Sequence, residues 1–198
     1  MTTTFFLLRH AAHDDVGNYL AGRCPNIFLG PAGRAQALRL GERMRHETFD
    51  AIFSSPRERT QETATAVSIA CDIGPITLKD ELDEVDFGSW SGKTFVELNG
   101  DPEWQRWNSQ RAVAVTPMGE SMNDVRRRMC GCMEDLSQRF SGRAVVLVSH
   151  ADVIKSAICH VLGLPADSCF RFDIDPASIS VVVVGDWGAK LLRLNETV

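Results

Sequence analysis

No stretch of this chain approaches the ~20 consecutive apolar residues that a membrane-spanning helix requires. The apolar run Phe5–Leu8 is too short for a secretory leader and has no basic region ahead of it, so a cytoplasmic protein is expected. A basic surplus is also missing. The 21 lysines and arginines face 26 aspartates and glutamates, a formal net charge of −5, which argues against a general nucleic-acid binder. The cysteines do not form a zinc knuckle, because Cys130-Gly-Cys132 has the wrong spacing. An even count of six could build a disulfide framework, but that belongs to short secreted chains, so free, mostly buried thiols are expected. No internal repeat, low-complexity tract or linker interrupts the 198 residues. Residues 1–198 are therefore expected to form a single domain, with a lid-like insertion at about 93–118.

What is present is an alternation of short apolar runs with helical patterns. Phe5–Leu8, Ala51–Phe53, Ile76–Leu78, Ala144–Val148, Ser178–Val184 and Ala189–Leu194 read as strands. The unbroken run at 144–148 is typical of a central parallel strand. Pro31 opens a helix whose inner face is Ala37, Leu40, Gly41 and Met44. Ser55, Pro56 and Glu58 have the order of a capping box at the start of another helix, with Arg59 in its first turn. A third helix begins at Ser121, and a fourth runs through Val153, Ile154, Ala157 and Ile158 until Gly163 and Pro165 stop it. The last two strands are joined at Gly185–Gly188 as an edge hairpin. This order predicts a three-layer α/β/α sandwich with a mostly parallel central sheet and an antiparallel edge strand. That exposed edge could pair with a second copy, giving a homodimer.

In open α/β sheets ligands bind beyond the carboxyl ends of the strands. Three such ends carry Arg9-His10, Ser55 with Arg59, and Ser149-His150, the last directly before a helix N-terminus. If the sheet order sets these strands side by side, two arginines and two histidines converge on a cradle for an anion such as phosphate.

The same segments, in order, resemble the signatures of the histidine phosphatase superfamily, also called phosphoglycerate-mutase-like. These are Leu8-Arg9-His10-Ala11, Ser54-Ser55-Pro56 through Arg59 to Thr63, the acidic loop Leu82–Gly92, Met118-Gly119-Glu120-Ser121 and Val146–His150. The resemblance implies a metal-independent phosphatase with no cofactor that hydrolyses a small-molecule phosphomonoester through a phosphohistidine on His10. Such an enzyme is a phosphoric monoester hydrolase, here expected to be of the histidine acid type. Arg9, Arg59 and His150 would hold the phosphoryl oxygens, and Glu84 would move the proton, with Asp83 and Asp86 as alternative acids. His13 and Gly22 are candidate substrate contacts; His13 stands where many members carry threonine, and Ala11 where they carry glycine. Cations around Glu84 are expected to depress its pKa until a phosphate dianion arrives. Asp152 could cap the helix after His150, and Glu120 reads as a loop-end contact. Trp104, Trp107, Arg106 and Arg111 either line the substrate entrance or pack the lid. The alternatives are a phosphoglycerate mutase, a phosphohistidine-protein phosphatase and a non-catalytic phosphate-binding module.

Overall fold

The run Phe5–Leu8 becomes β1 (Thr3–Arg9), and its four side chains are buried on the two faces of one sheet. The computed structural model describes residues 1–198 and contains five more strands: β2 (Ala51–Ser54), β3 (Thr77–Leu78), β4 (Ala144–Ser149), β5 (Ile179–Gly185) and β6 (Gly188–Glu196). Their spatial order is β3-β2-β4-β1-β5-β6. The pairs β3·β2, β2·β4 and β4·β1 are parallel, whereas β5 runs antiparallel to both β1 and β6. The unbroken apolar pattern of β4 follows from its place. Val145, Val146, Leu147 and Val148 are wholly buried between two neighbouring strands and two layers of helix. Each such side chain contributes roughly 1.5–3 kcal/mol by leaving water.

Two helices cover one face. α1 (Pro31–Met44) and α2 (Glu58–Cys71) pack over Phe6, Leu8, Ile52, Val146 and Val148. Gly33 of α1 lies so close to the carbonyl oxygen of Ala12 that a Cβ there would overlap it. The other face carries α5 (Met122–Arg139) and α6 (Ala151–Val161), with Phe5, Leu7, Val145 and Leu147 beneath them. The methionines at 122, 129 and 133 are core side chains of α5, which starts with a capping box between Ser121 and Asp124. All six cysteines are free, and no helix is long and apolar enough to cross a membrane.

Residues 93–118 hold two short helices, α3 (Phe95–Asn99) and α4 (Pro102–Ser109). Trp104 and Trp107 are buried in the same core cluster as Phe87 and Trp90, with edge-on ring contacts to both. Of the two readings of these tryptophans, the geometry is that of packing. Arg106 is exposed, and Arg111 lies against the Trp107 and Phe170 rings.

The expected Ser55–Glu58 capping box does not form. Arg57 is the N-cap of α2 and makes no side-chain cap. Glu58 instead accepts from the Asn26 N–H, and the Ser55 hydroxyl, which keeps only a 3.3 Å contact from the Arg57 N–H, is engaged by His150 and Asp83. A buried histidine and a buried carboxylate offer that hydroxyl more than the helix end does.

Candidate active site

The strand register brings the three suspected ends to one level. Arg9 is paired with Ser149, and Ser54 with Val148, so His10, Ser55 and His150 emerge together from β1, β2 and β4. β4 lies between the other two, which is the side-by-side arrangement that convergence requires. α6 starts immediately after His150, and its N–H-rich end opens beside the cluster.

His10 is 4 % exposed. Its Nδ1 lies 2.8 Å from the carbonyl oxygen of Ala11, an acceptor, so Nδ1 carries the ring hydrogen. Nε2 is then the bare nitrogen, and Arg59 Nε–H points at it from 3.3 Å. Burial, with Arg59 and Arg9 alongside, holds the His10 pKa well below 6.5, so the ring is neutral. Arg59 is itself almost wholly buried. Its Nη2 donates to the Gly22 carbonyl at 2.8 Å and to His150 Nδ1 at 3.2 Å, while Nη1 has no partner. The carbonyl of Gly22 thus aims the guanidinium. Gly22 itself has φ +50°, and a Cβ there would come within 2.7 Å of Ser91 Oγ. Arg9 donates through Nη1 to the Ile174 carbonyl at 2.6 Å and leaves Nε unpaired. His13 is buried beside His10, with ring centres 6.1 Å apart, and its Nδ1 is also unpaired. Unpaired buried donors are costly unless something fills the space between them.

Glu84 Oε2 lies 3.5 Å from His150 Nδ1. Its pKa is pushed up to about 7, mainly by burial and then by the Asp152 carboxylate, against the opposing pull of Arg59 and Arg9. The expectation of a depressed pKa is therefore overturned. Desolvation outweighs the two nearby cations even without a bound anion. Asp83 occupies a different place. It is paired with Arg57 Nε at 2.9 Å and accepts from the Glu84 N–H at 2.8 Å. Asp86 is turned toward Arg23 and is 41 % exposed. Asp152 does not cap α6, since its carboxylate takes the Arg111 Nη1 at 2.7 Å.

Four further residues hold Glu84 and His150 in place. The Glu84 carbonyl accepts from Arg23 Nε at 2.8 Å and Arg128 Nη2 at 3.1 Å. Arg128 and Arg23 are held in turn by Glu120, which is the structural contact expected of it. Arg57 fixes Asp83, and Ser55 bridges Asp83 and His150. Ser55 lay inside a visible motif; Arg128 is an ordinary helical arginine in the sequence and gave no signal. A groove of about 530 Å³ between α1 and α2 shares no residue with this cluster.

The arrangement can therefore offer a neutral nucleophilic nitrogen, fixed cations and a carboxyl group poised to exchange a proton near neutrality. The sequence matches the family model of the histidine phosphatase superfamily (branch 1) over residues 5–197. Phosphoserine phosphatase 1 of Hydrogenobacter thermophilus is 32% identical over 195 residues, covering 96% of this chain and 91% of that protein. The adenosylcobalamin/alpha-ribazole phosphatase of Salmonella typhimurium is 28% identical, covering 96% and 95%. A bifunctional protein of Mycobacterium tuberculosis matches at 34% identity over 74% of this chain but only 41% of its own length. Among solved structures, phosphoserine phosphatase from Entamoeba histolytica in complex with 3-phosphoglyceric acid superposes with a TM-score of 0.87 at 27% identity, covering 98% of each chain.

Proposed function

We propose, from the premise that this chain belongs to the histidine phosphatase superfamily, that it is a phosphatase hydrolysing a small phosphomonoester through a phosphohistidine on His10. The observation that carries this reading is the bare Nε2 of His10, held neutral and faced by Arg59 at 3.3 Å. Nε2 attacks phosphorus and forms a P–N bond as the P–O ester bond breaks. The Glu84 carboxylic acid gives its proton to the leaving oxygen. Water then attacks phosphorus, Glu84 takes back a proton, the P–N bond breaks, and phosphate leaves with His10 neutral again. Arg9, Arg59 and His150 hold the phosphoryl oxygens. Their fixed charges and donors supply the stabilisation that a phosphoryl transition state needs, so a metal is not required.

Residues 1–198 work as one domain in this reading. The segment 93–118 serves as a fixed wall, because its tryptophans are packed into the core. His13, buried beside His10, borders the leaving group. Branch 1 of the superfamily is the family name this chain carries; histidine acid phosphatase is a different family name. The relatives named for phosphoserine and alpha-ribazole set the first substrates to try.

The test is turnover of p-nitrophenyl phosphate with EDTA present, by wild type and His10→Ala, followed by a panel of O-phosphoserine, α-ribazole phosphate and 3-phosphoglycerate. EDTA-resistant hydrolysis abolished by His10→Ala is expected. Phosphoryl migration on 3-phosphoglycerate without release of inorganic phosphate would replace the phosphatase with a mutase.

A further inference from the structure

The Ser55 hydroxyl is wholly buried and has three neighbours but only one hydrogen to give. Asp83 Oδ1, at 3.2 Å, can only accept. The Arg57 N–H, at 3.3 Å, can only donate. His150 Nε2, at 2.9 Å, can do either. The hydroxyl therefore has two orientations, each tied to a different form of the neutral His150 ring. With its hydrogen toward Asp83, His150 must carry a hydrogen on Nε2, and Nδ1 is bare. With its hydrogen toward His150, Nε2 is bare, and the ring hydrogen sits on Nδ1.

The free protein is in the first arrangement, because Arg59 Nη2 donates to His150 Nδ1 at 3.2 Å. That state is wrong for an anion. A bare Nδ1 repels a phosphoryl oxygen, and Arg59 is occupied with the ring. We infer that Ser55 is a positioning residue, a two-position rotor whose hydroxyl turns from Asp83 to His150 when phosphate enters and so converts His150 from an acceptor into a donor for the phosphoryl group. The conversion releases Arg59 Nη2 from the ring at the same moment. Asp83 loses little, since it keeps the Arg57 guanidinium at 2.9 Å and the Glu84 N–H at 2.8 Å. The proton count does not change. Both states have one ring hydrogen and one hydroxyl hydrogen: the ring gives up its hydrogen at Nε2 and takes one at Nδ1, so no net proton is gained or lost.

This inference rests on the phosphatase reading of the site, but its test does not depend on turnover. Wild-type protein labelled with ¹⁵N-histidine is titrated with inorganic phosphate at pH 6, where Glu84 holds its proton, and His150 is assigned by comparison with His150→Asn. The expected result is that the bare-nitrogen signal of His150 moves from Nδ1 to Nε2 on saturation. A bare Nδ1 that persists in the complex, or a ring protonated on both nitrogens, would overturn the rotor while leaving the phosphatase reading intact. Failure of EDTA-resistant turnover would strike that reading instead. In Ser55→Ala the inhibition constant for inorganic phosphate is expected to rise at least tenfold, with kcat/KM falling by a similar factor. An unchanged phosphate constant in a folded Ser55→Ala protein would also overturn the proposal.

Discussion

The Nε–H of Arg59 faces the bare Nε2 of His10 across 3.3 Å, while the other ring nitrogen is fixed by the Ala11 carbonyl at 2.8 Å. One guanidinium thus orients the nucleophile, reaches His150 and Gly22, and keeps one amino group free. Only a planar fork can do this, so lysine is a poor substitute. Arg59→Ala is expected to lower kcat/KM by ~10²–10³-fold, and Arg59→Lys should recover less than a tenfold part of that loss. Steady-state kinetics on protein with native circular dichroism checks this; near-wild-type rates in Arg59→Lys would refute the fork argument.

The pH dependence follows from two groups displaced in opposite senses. His10 stays neutral below 6.5, so the acidic limb of kcat/KM should lie below that value. Glu84 gives up its proton at about 7, so activity should fall as pH rises through neutrality. Asp152→Asn removes a carboxylate that raises the Glu84 pKa and frees the cation of Arg111. Both changes favour ionised Glu84, and the alkaline limb should move to lower pH. A limb that stays in place would show that Asp152 does not act on Glu84.

Glu84 should also tie stability to pH. Its pKa is about 7 in the folded protein against 4.5 as the ordinary value. The stability this burial allows is complete below 4.5 and is lost as pH rises through 7, by up to about 3 kcal/mol. Glutamine does not ionise. The Tm of Glu84→Gln relative to wild type should therefore climb between pH 5 and pH 8. The depressed histidines weaken both proteins alike in acid and cancel in the comparison. A difference in Tm that is flat with pH would contradict the raised pKa.

Gly33 offers a test remote from the chemistry. A Cβ at this position would sit 1.7 Å from the Ala12 carbonyl oxygen, a backbone atom that cannot swing aside. Gly33→Ala should push α1 away from the loop that follows His10. The expected loss is roughly 1–3 kcal/mol of stability, with reduced kcat as the nucleophile shifts; thermal denaturation and kinetics measured together check both.

Most of the sheet was legible because its strands bury both faces or end in a turn, and those patterns survive in a single sequence. Val145–Val148 announced a central strand, and Gly185–Gly188 an edge hairpin. Arg9, His10, Arg59 and His150 stand out because they lie at or just past strand ends, and Glu84 stands out only through the family-like order of its loop. The supporting contacts did not. Arg128 reaches the Glu84 carbonyl from 44 positions away, and nothing in a helical arginine declares such a target. Ser55 and Glu58 had the spacing of a local cap, but tertiary partners took both side chains. The Glu84 pKa was misjudged because neighbouring cations can be read from motifs, whereas the depth of burial cannot.

The sheet order has a consequence for how the protein is made. β1 and β2 do not touch as partners; β4, beginning at residue 144, lies between them. A chain still emerging from the ribosome therefore carries its nucleophile just beyond β1, and Arg59 on the helix that follows β2, with no edge shared between those two strands. His150 is made only after the strand that joins them. Until Ala144–Ser149 has slotted into the middle of the sheet, the growing chain holds the early ingredients of the site without the strand that sets them side by side.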